Sequence, residues 1–580
     1  MYIGNTKIKA ILNNKVTNFI INPIIKLFTQ RRTVETTGVV ICNPIDILEV
    51  GEEYALIAYL LPGNNMLNDN LVKFNSSNPS VATIKCGVIK AISEGTTVIT
   101  VKDYDSRIYS AKMTLTVKAR PVVSISDSET YTVNAVDYLI SLNGTNSSNT
   151  TSGIISALNY ASSNGYKKIK FPYGTYLVTP SKASDTLNVI QIPSNIVIDF
   201  QNSIINIEDT EISLTGYNMF TFGKYSKCEN SSIINANIVG EVERTTQGAN
   251  NLSEHCVSVA FYDAENCGLD NCDTSYSPGF NIQGNMVINI QEMTPIHGDD
   301  TESGRYDENG NNKEEAKWWR TKSKLDISNL KGNTFVLGNC EGYQGYTALV
   351  ARLYEICFYD KDNNFISKIE NCLQFLSYKK PSNATRCTIA FHQTNQPSGN
   401  IGGSYSSEDT VACIYSNYEP YKCYIKKCNI HDNHDLGIAM TGGKRWLLEN
   451  NTFSNNGNDP SAVNADIDYE DGWDSCSGDI IRNNTFNSNK GIVMLSSIST
   501  VLHDNIFNNT INAFGTSENK RVQFFRSYDN MYNNCTITAY IQNECVFAEN
   551  IMSGASSLVV KNNYHTNSLY TVRMFDNVYS

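Results

Sequence analysis

Three short phrases decide how this chain folds: Asn450-Asn451-Thr452-Phe453, Asn483-Asn484-Thr485-Phe486 and Asp504-Asn505-Ile506-Phe507. Looser copies flank them at Cys428-Asn429-Ile430, Asp529-Asn530-Met531 and Glu549-Asn550-Ile551. With the apolar residue as marker, successive copies lie 23, 33, 21, 24 and 20 residues apart. A period of roughly 20–25 residues built from strand-like pieces marks a solenoid, in which each unit covers only its neighbours. The markers Ile430, Phe453, Phe486 and Phe507 are expected to stack inside the coil. The asparagines belong at its corners, because Asn tolerates left-handed backbone and bonds nearby peptide groups. The Leu-x-x-Leu-x-Leu signature of leucine-rich repeats does not occur. The pattern predicts a right-handed parallel β-helix.

At 580 residues the chain exceeds one compact core, so several structural units are expected. Its 33 tyrosines and 18% charged residues fit a β-rich, hydrogen-bonded architecture. A net charge of −12 disfavours nucleic acid and anionic membranes, both of which select a basic face. No run of 18 apolar residues exists to span a bilayer. Met1-Tyr2-Ile3-Gly4-Asn5 lacks the basic-then-apolar order of a secretory signal. The 16 cysteines are scattered, with no Cys-x-x-Cys spacing, and are expected as free buried thiols. Cys267, Cys272, Cys423 and Cys428 stand where a rung wants a small apolar residue. These features describe a protein folded in a reducing cytosol that can still work outside the cell.

Residues 1–38 read either as an anchor to a larger assembly or as a disordered or strand-exchanged tail. Residues 39–118 carry strand-like runs at short spacing, the form of a small β-sandwich. There Val50-Gly51-Glu52, Ser76-Ser77-Asn78-Pro79-Ser80-Val81, Gly87-Val88-Ile89 and Glu94-Gly95-Thr96 closely resemble the group 2 bacterial immunoglobulin-like domain. That resemblance implies spacing or weak surface adhesion. Residues 119–290 read as the first part of the coil with a capping helix: Ile154, Ile155, Leu158 and Ala161 share one helical face that ends near Asn164-Gly165. Phe171-Pro172-Tyr173-Gly174-Thr175-Tyr176 and Ile192-Pro193-Ser194-Asn195-Ile196 follow. Together they resemble the entrance of pectate-lyase-like β-helices, including bacteriophage tailspikes, where the helix plugs the open end of the coil. One departure is that residues 143–151 carry Asn, Ser and Thr where the family often has an Asp-rich stretch.

The step from Cys272 to Ile430 is 158 residues, far more than one turn, so a module is inserted over 291–420. Its runs alternate as strands. Ile356-Cys357-Phe358-Tyr359-Asp360 with Pro381-Ser382-Asn383-Ala384 resembles the jelly-roll, carbohydrate-binding-like modules of phage fibre proteins. The coil resumes over 421–580. The expected fold class is all-β: a β-helix interrupted by a β-sandwich and preceded by another.

The 33-residue step holds Asp466-Ile467-Asp468-Tyr469-Glu470-Asp471-Gly472-Trp473 as an apparent loop in excess of the rung. In an extended segment Asp466, Asp468 and Glu470 share a face, about 6.6 Å apart per pair. Carboxyls at such spacing suit an inverting glycosidase, one as acid and one as base, with Asp471 nearby. The same cluster suits a Ca²⁺ site, the only cofactor the sequence suggests, or simple solvation. Trp473 is placed to stack on a sugar. His434, Lys444 and Arg445 come from the neighbouring rung, and a β-elimination lyase needs such a base and such a charge-neutralising cation. Trp318 and Trp319 read either as packing under the inserted module or as a sugar platform. Catalysis, cation binding and non-catalytic glycan contact all remain open at this point.

The family resemblances imply a phage tail-associated receptor-binding protein that engages host polysaccharide or teichoic acid. Such a protein belongs to the virion tail or baseplate, contacts other tail proteins and assembles as a homotrimer. A depolymerase cleaving the same polymer is the alternative, and a bacterial surface adhesin the second.

Overall fold

The computed structural model describes residues 37–579, apart from 62–71, 104–107, 122–123, 183–187, 247–250, 287–289, 339–352, 400–408, 417, 458–463, 471–475, 496, 517–521, 543–544, 562–571 and 576. A single rung shows how the coil is made. Tyr424–Lys426 runs to a corner at Lys427, Asn429–His431 to a second at Asp432, and Leu436–Met440 to a third at Arg445. Leu447–Glu449 then begins the next turn. The corner residues have φ of 51°, 53° and 59°, the left-handed region that reverses a chain within one residue. The first two strands of each rung join one long parallel sheet and the third joins a second sheet. The all-β fold is a right-handed β-helix.

The asparagine pairs divide their work between turning and bonding. The first member makes the left-handed turn, at Asn450, Asn483, Asp504, Asp529 and Glu549. The second points inward and is buried, at Asn451, Asn484, Asn505, Asn530 and Asn550. Each inward Nδ2 donates to a backbone carbonyl of the preceding rung and to the Oδ1 of the next ladder asparagine. That Oδ1 also accepts from the backbone N–H of the asparagine before it. The ladder therefore satisfies the polar groups that a buried corner exposes. Beside it Phe453, Phe486, Phe507 and Tyr532 stack at 4.8, 4.5 and 4.8 Å. The helix Ser147–Ser163 closes the N-terminal end, with Ile154, Ala157, Leu158 and Ala161 in the coil core. Every described cysteine is a free thiol, and all but Cys86 are buried.

The rung before the insertion stacks directly on the rung after it. Gly268 is level with Tyr424, Asp273 with Asn429, and Phe280 with Leu436. The chain leaves and returns at one level, and between them a six-stranded and a four-stranded antiparallel sheet enclose Phe335, Phe358, Phe391 and Ile414.

Residues 38–118 form a second sandwich around Leu48, Leu56, Ile89, Ile99 and Leu115. Here the module lies against the coil's flank, where Ala55 and Val88 pack on Ile480, Val501, Tyr528 and Val546. Its Cys42 and Ile57 pack with Leu373 and Phe375 of the inserted sandwich and with Ile498 and Phe524 of the coil.

Candidate functional site

Asp466 and Asp468, two of the carboxylates singled out by the sequence, lie in a strand of the rung and not in a loop. Ala465–Tyr469 is a strand of the second sheet, paired with Leu436–Met440 and with Lys490–Met494. Ile467 and Tyr469 enter the main core. Asp468 is level with Ala439 and Val493, which belong to a separate cluster on the outer face. Asp466 turns the other way. Its Oδ1 accepts from Asn456 Nδ2 at 2.8 Å and from Ser488 Oγ, and Asn456 in turn bonds Asn433 and the Ile430 carbonyl. A kink points two consecutive residues, Asp466 and Ile467, inward, so the shared face expected for Asp466, Asp468 and Glu470 does not form. Asp468 keeps the outer direction but is only 1% exposed, and Glu470 follows the end of the strand. Asp471 and Trp473 fall outside the described residues.

The three carboxylates therefore do not converge on a cation. Among the described residues no group of three or more His, Cys, Asp or Glu side chains is arranged to hold a metal. The residues expected at a Ca²⁺ site do not fit one.

Asp466 is instead a link in a second inner ladder. Burial pushes its carboxyl up from 3.8 to about 7. The folded chain thus keeps a proton that the unfolded chain releases, and stability from this group falls as pH rises from about 4 to 7. Asp466→Asn is expected to remove that slope and to raise stability at pH 8 by about 2–4 kcal/mol. Urea midpoints at pH 4.5 and pH 8 measure it, and a variant less stable than wild type at both would contradict the assignment.

The other expected site residues are dispersed. His434 lies at the corner before Leu436–Met440, five residues and one turn of backbone away from Ala439, the neighbour of Asp468. Lys444 is buried on Glu419 at 3.1 Å. Arg445 sits over the rings of Tyr54 and Tyr421, 3.9 Å from Glu52, against the N-terminal sandwich. Trp318 has both faces taken: His392 stacks on it at 4.6 Å and the Arg305 guanidinium lies 4.4 Å from its centroid. A sugar cannot stack there without displacing one of them. Trp319 faces the other side of its strand, level with Phe391, and its Nε1 donates to the Thr394 carbonyl.

What the structure does assemble is a polar cleft of about 410 Å³ where the N-terminal sandwich meets the coil. Tyr424, Lys426, Arg445 and Arg482 line it from the coil, and Glu52 and Arg120 from the sandwich side. Lys422 pairs with Glu52 at 2.8 Å, Arg120 with Glu49 at 3.8 Å, and Arg482 with both Glu53 and Glu449 at 2.7 Å. Two of its lining residues, Lys426 and Arg482, belong to an outward row of the long sheet, Asp270, Lys426, Glu449, Arg482, His503 and Tyr528, level with one another on successive rungs. From Lys426 to Tyr528, each is the residue just before a left-handed corner. That position is set by the repeat, one residue before each corner, and carries no cluster of acids to mark it. The sandwich wall carried no signal, because it is brought in from some 370 residues away.

A family model described as the right-handed β-helix region matches residues 354–524, a stretch that begins inside the inserted sandwich and runs through the resumed coil. Searched against curated proteins, the sequence finds no match. Among solved structures, the A-module of a mannuronan C-5 epimerase from Azotobacter vinelandii is 9% identical, with 77% of this chain and 95% of that one covered and a TM-score of 0.35. A tailspike protein of an E. coli bacteriophage, solved with a pentasaccharide, is 11% identical over 78% and 67%, with a TM-score of 0.36. A Streptococcus pneumoniae surface adhesin is 12% identical over 77% and 100%, with a TM-score of 0.33. Likenesses at this level say nothing about ligand or chemistry.

Proposed function

We propose that this chain is a tail-associated receptor-binding protein of a bacteriophage that engages a polysaccharide or wall polymer on the host surface. In this reading residues 1–38 attach it to the tail or baseplate and three copies assemble side by side. The phage assignment draws on the helix and Phe171-Pro172-Tyr173-Gly174-Thr175-Tyr176 entrance of the coil. The observation that supports glycan engagement best is the cleft between the N-terminal sandwich and the coil. Its volume falls in the range of small-ligand sites, and it presents closely spaced charged donors and acceptors. Sugar hydroxyls and charged substituents are held by such groups.

The test is to incubate the purified full chain with host wall glycan and with teichoic acid, and to measure both binding and released reducing ends or phosphate. Binding without release is the expected result. Binding with release moves the reading to a depolymerase. No binding to either polymer overturns the glycan reading.

A further inference from the structure

We propose that the cleft selects an anionic glycan, one bearing phosphate or carboxylate groups, and that Lys426 takes the anionic group. This rests on the glycan-binding reading above and specifies its ligand.

The argument begins with the pairing of charge in the cleft. Of the residues lining it, Arg120, Lys422, Lys426, Arg445 and Arg482 are cationic, against the three carboxylates Glu49, Glu52 and Glu53. An excess of two positive charges stands out on a chain whose net charge is −12. Four of the cations have a carboxylate within 4 Å. Lys426 has none among the described residues. Its two neighbours in the outward row are already engaged: Glu449 Oε1 accepts from Arg482 Nε at 2.8 Å and Nη2 at 2.7 Å, and Asp270 lies 3.7 Å from Lys427. The Lys426 ammonium instead rests over the Tyr424 ring, 4.5 Å from its centroid.

That position is costly for the free protein. Burial first, and then the Arg120 guanidinium, push the Lys426 pKa down, and the pull of Glu449 and Asp270 does not outweigh them. A half-buried cation facing another cation is stabilised by whatever anion enters between them. Among the described residues Lys426 makes no ion pair to the sandwich. A neutral sugar supplies hydrogen bonds but leaves the excess charge unbalanced. A phosphodiester or uronate offers charge-assisted bonds to Lys426 and to the arginines around it. Because one wall is the sandwich, the site exists only while that module is docked.

The experiment measures binding of the full chain to four probes: poly(glycerol phosphate), polygalacturonate, neutral dextran and inorganic polyphosphate. The proposal expects one or both anionic glycans to bind, dextran not to bind, and affinity to fall as salt is raised. Which anionic glycan binds distinguishes a phosphate source from a carboxylate source. Lys426→Gln is expected to weaken that binding about tenfold or more, Lys426→Arg to retain it within about threefold, and Arg120→Gln to weaken it by an intermediate amount. Melting temperatures of all three variants are followed in parallel. Loss of binding in Lys426→Gln with an unchanged melting temperature supports the proposal. Dextran binding as well as the polyanions overturns it while leaving the glycan reading intact. Polyanion binding unaffected by both Lys426→Gln and Arg120→Gln overturns it as well. If polyphosphate alone binds, the glycan reading fails and the proposal of an anionic glycan is overturned with it.

Discussion

Asn505→Ala is expected to cost about 3–6 kcal/mol of stability, whereas Asn508→Ala, a few residues along the same strand, should leave stability within about 0.5 kcal/mol of wild type. Asn505 is 1% exposed and works in both directions along the coil. Its Nδ2 donates to the Ile481 carbonyl at 2.8 Å and to Asn530 Oδ1 at 2.9 Å. Its Oδ1 accepts from the Asn484 backbone N–H at 3.0 Å and from Asn484 Nδ2 at 3.1 Å. Alanine removes all four bonds and leaves groups of two neighbouring rungs without partners, each worth about 1–3 kcal/mol when buried. Asn508 also bonds in both directions, from Nδ2 to Asn487 Oδ1 and from Asn533 Nδ2 to its own Oδ1, each at 2.8 Å, but on the outer side of the coil where water can replace those bonds. Urea midpoints of the two variants measure the contrast. Because rungs interact only with neighbours, the loss should appear first as lowered amide-exchange protection around residues 480–530. Equal midpoints for the two variants would mean that the inner ladder does not hold the corners.

The coil was legible because its period is carried by residues with two separable jobs. A phenylalanine fills the interior once per rung, and an asparagine pair turns the corner, so even a 33-residue step does not hide the repeat. The 158-residue gap between Cys272 and Ile430 marked the insertion for the same reason. The site was less legible, and the strand Ala465–Tyr469 shows why. Alternation assigns faces only while a strand stays straight, and here the backbone kinks between Asp466 and Ile467. The same kink recurs in Tyr217–Phe222, where Tyr217, Met219, Phe220 and Phe222 all enter the core. There the break in alternation is visible as adjacent apolar residues. In Ala465–Tyr469 the inward position before the kink is an aspartate, so the carboxylate looked like part of an outward acidic row. Trp318 misled for another reason: its partners Arg305 and His392 come from other strands, and an aromatic pair in sequence does not reveal what already covers it. The cleft was the least legible feature. Its coil side follows the rung period, but its other wall belongs to a module with its own core, and nothing local in residues 39–118 specifies the flank on which that module docks.

Glu53→Ala is expected to release the N-terminal sandwich from the coil at a cost of about 3–5 kcal/mol to the docked state, with the coil itself unchanged. Glu53 is the sandwich's buried contribution to a charge cluster. One oxygen accepts from Arg482 at 2.7 Å and lies 3.3 Å from Lys90, and the other lies 2.7 Å from His503 Nε2. Burial by itself would raise its pKa, but the His503 hydrogen bond and the charges of His503, Arg482 and Lys90 outweigh that and bring it from 4.5 down to about 2. A lowered carboxylate pKa means stability that is complete above about 4.5 and lost as pH falls towards 2. Wild-type docking should therefore weaken by up to about 3 kcal/mol across that window, and Glu53→Ala should show no such loss because its docking lacks the group at every pH. The apolar contacts of Ala55 and Val88 remain in the variant, as do the bonds from Arg526 to the Cys86 and Leu56 carbonyls. Loosening is therefore expected, not unfolding. Faster proteolysis near residues 119–130 and a larger radius of gyration by solution scattering would report it, against an unchanged melting transition of the coil. A variant that stays compact and keeps the wild-type acid profile would assign docking to the apolar patch alone. Undocking also removes Glu52 and Arg120 from the cleft, so Glu53→Ala should lose polyanion binding although Glu53 is held by the cluster and Lys426 is untouched. Loss of binding on undocking is the result expected if the sandwich forms a wall of the proposed site.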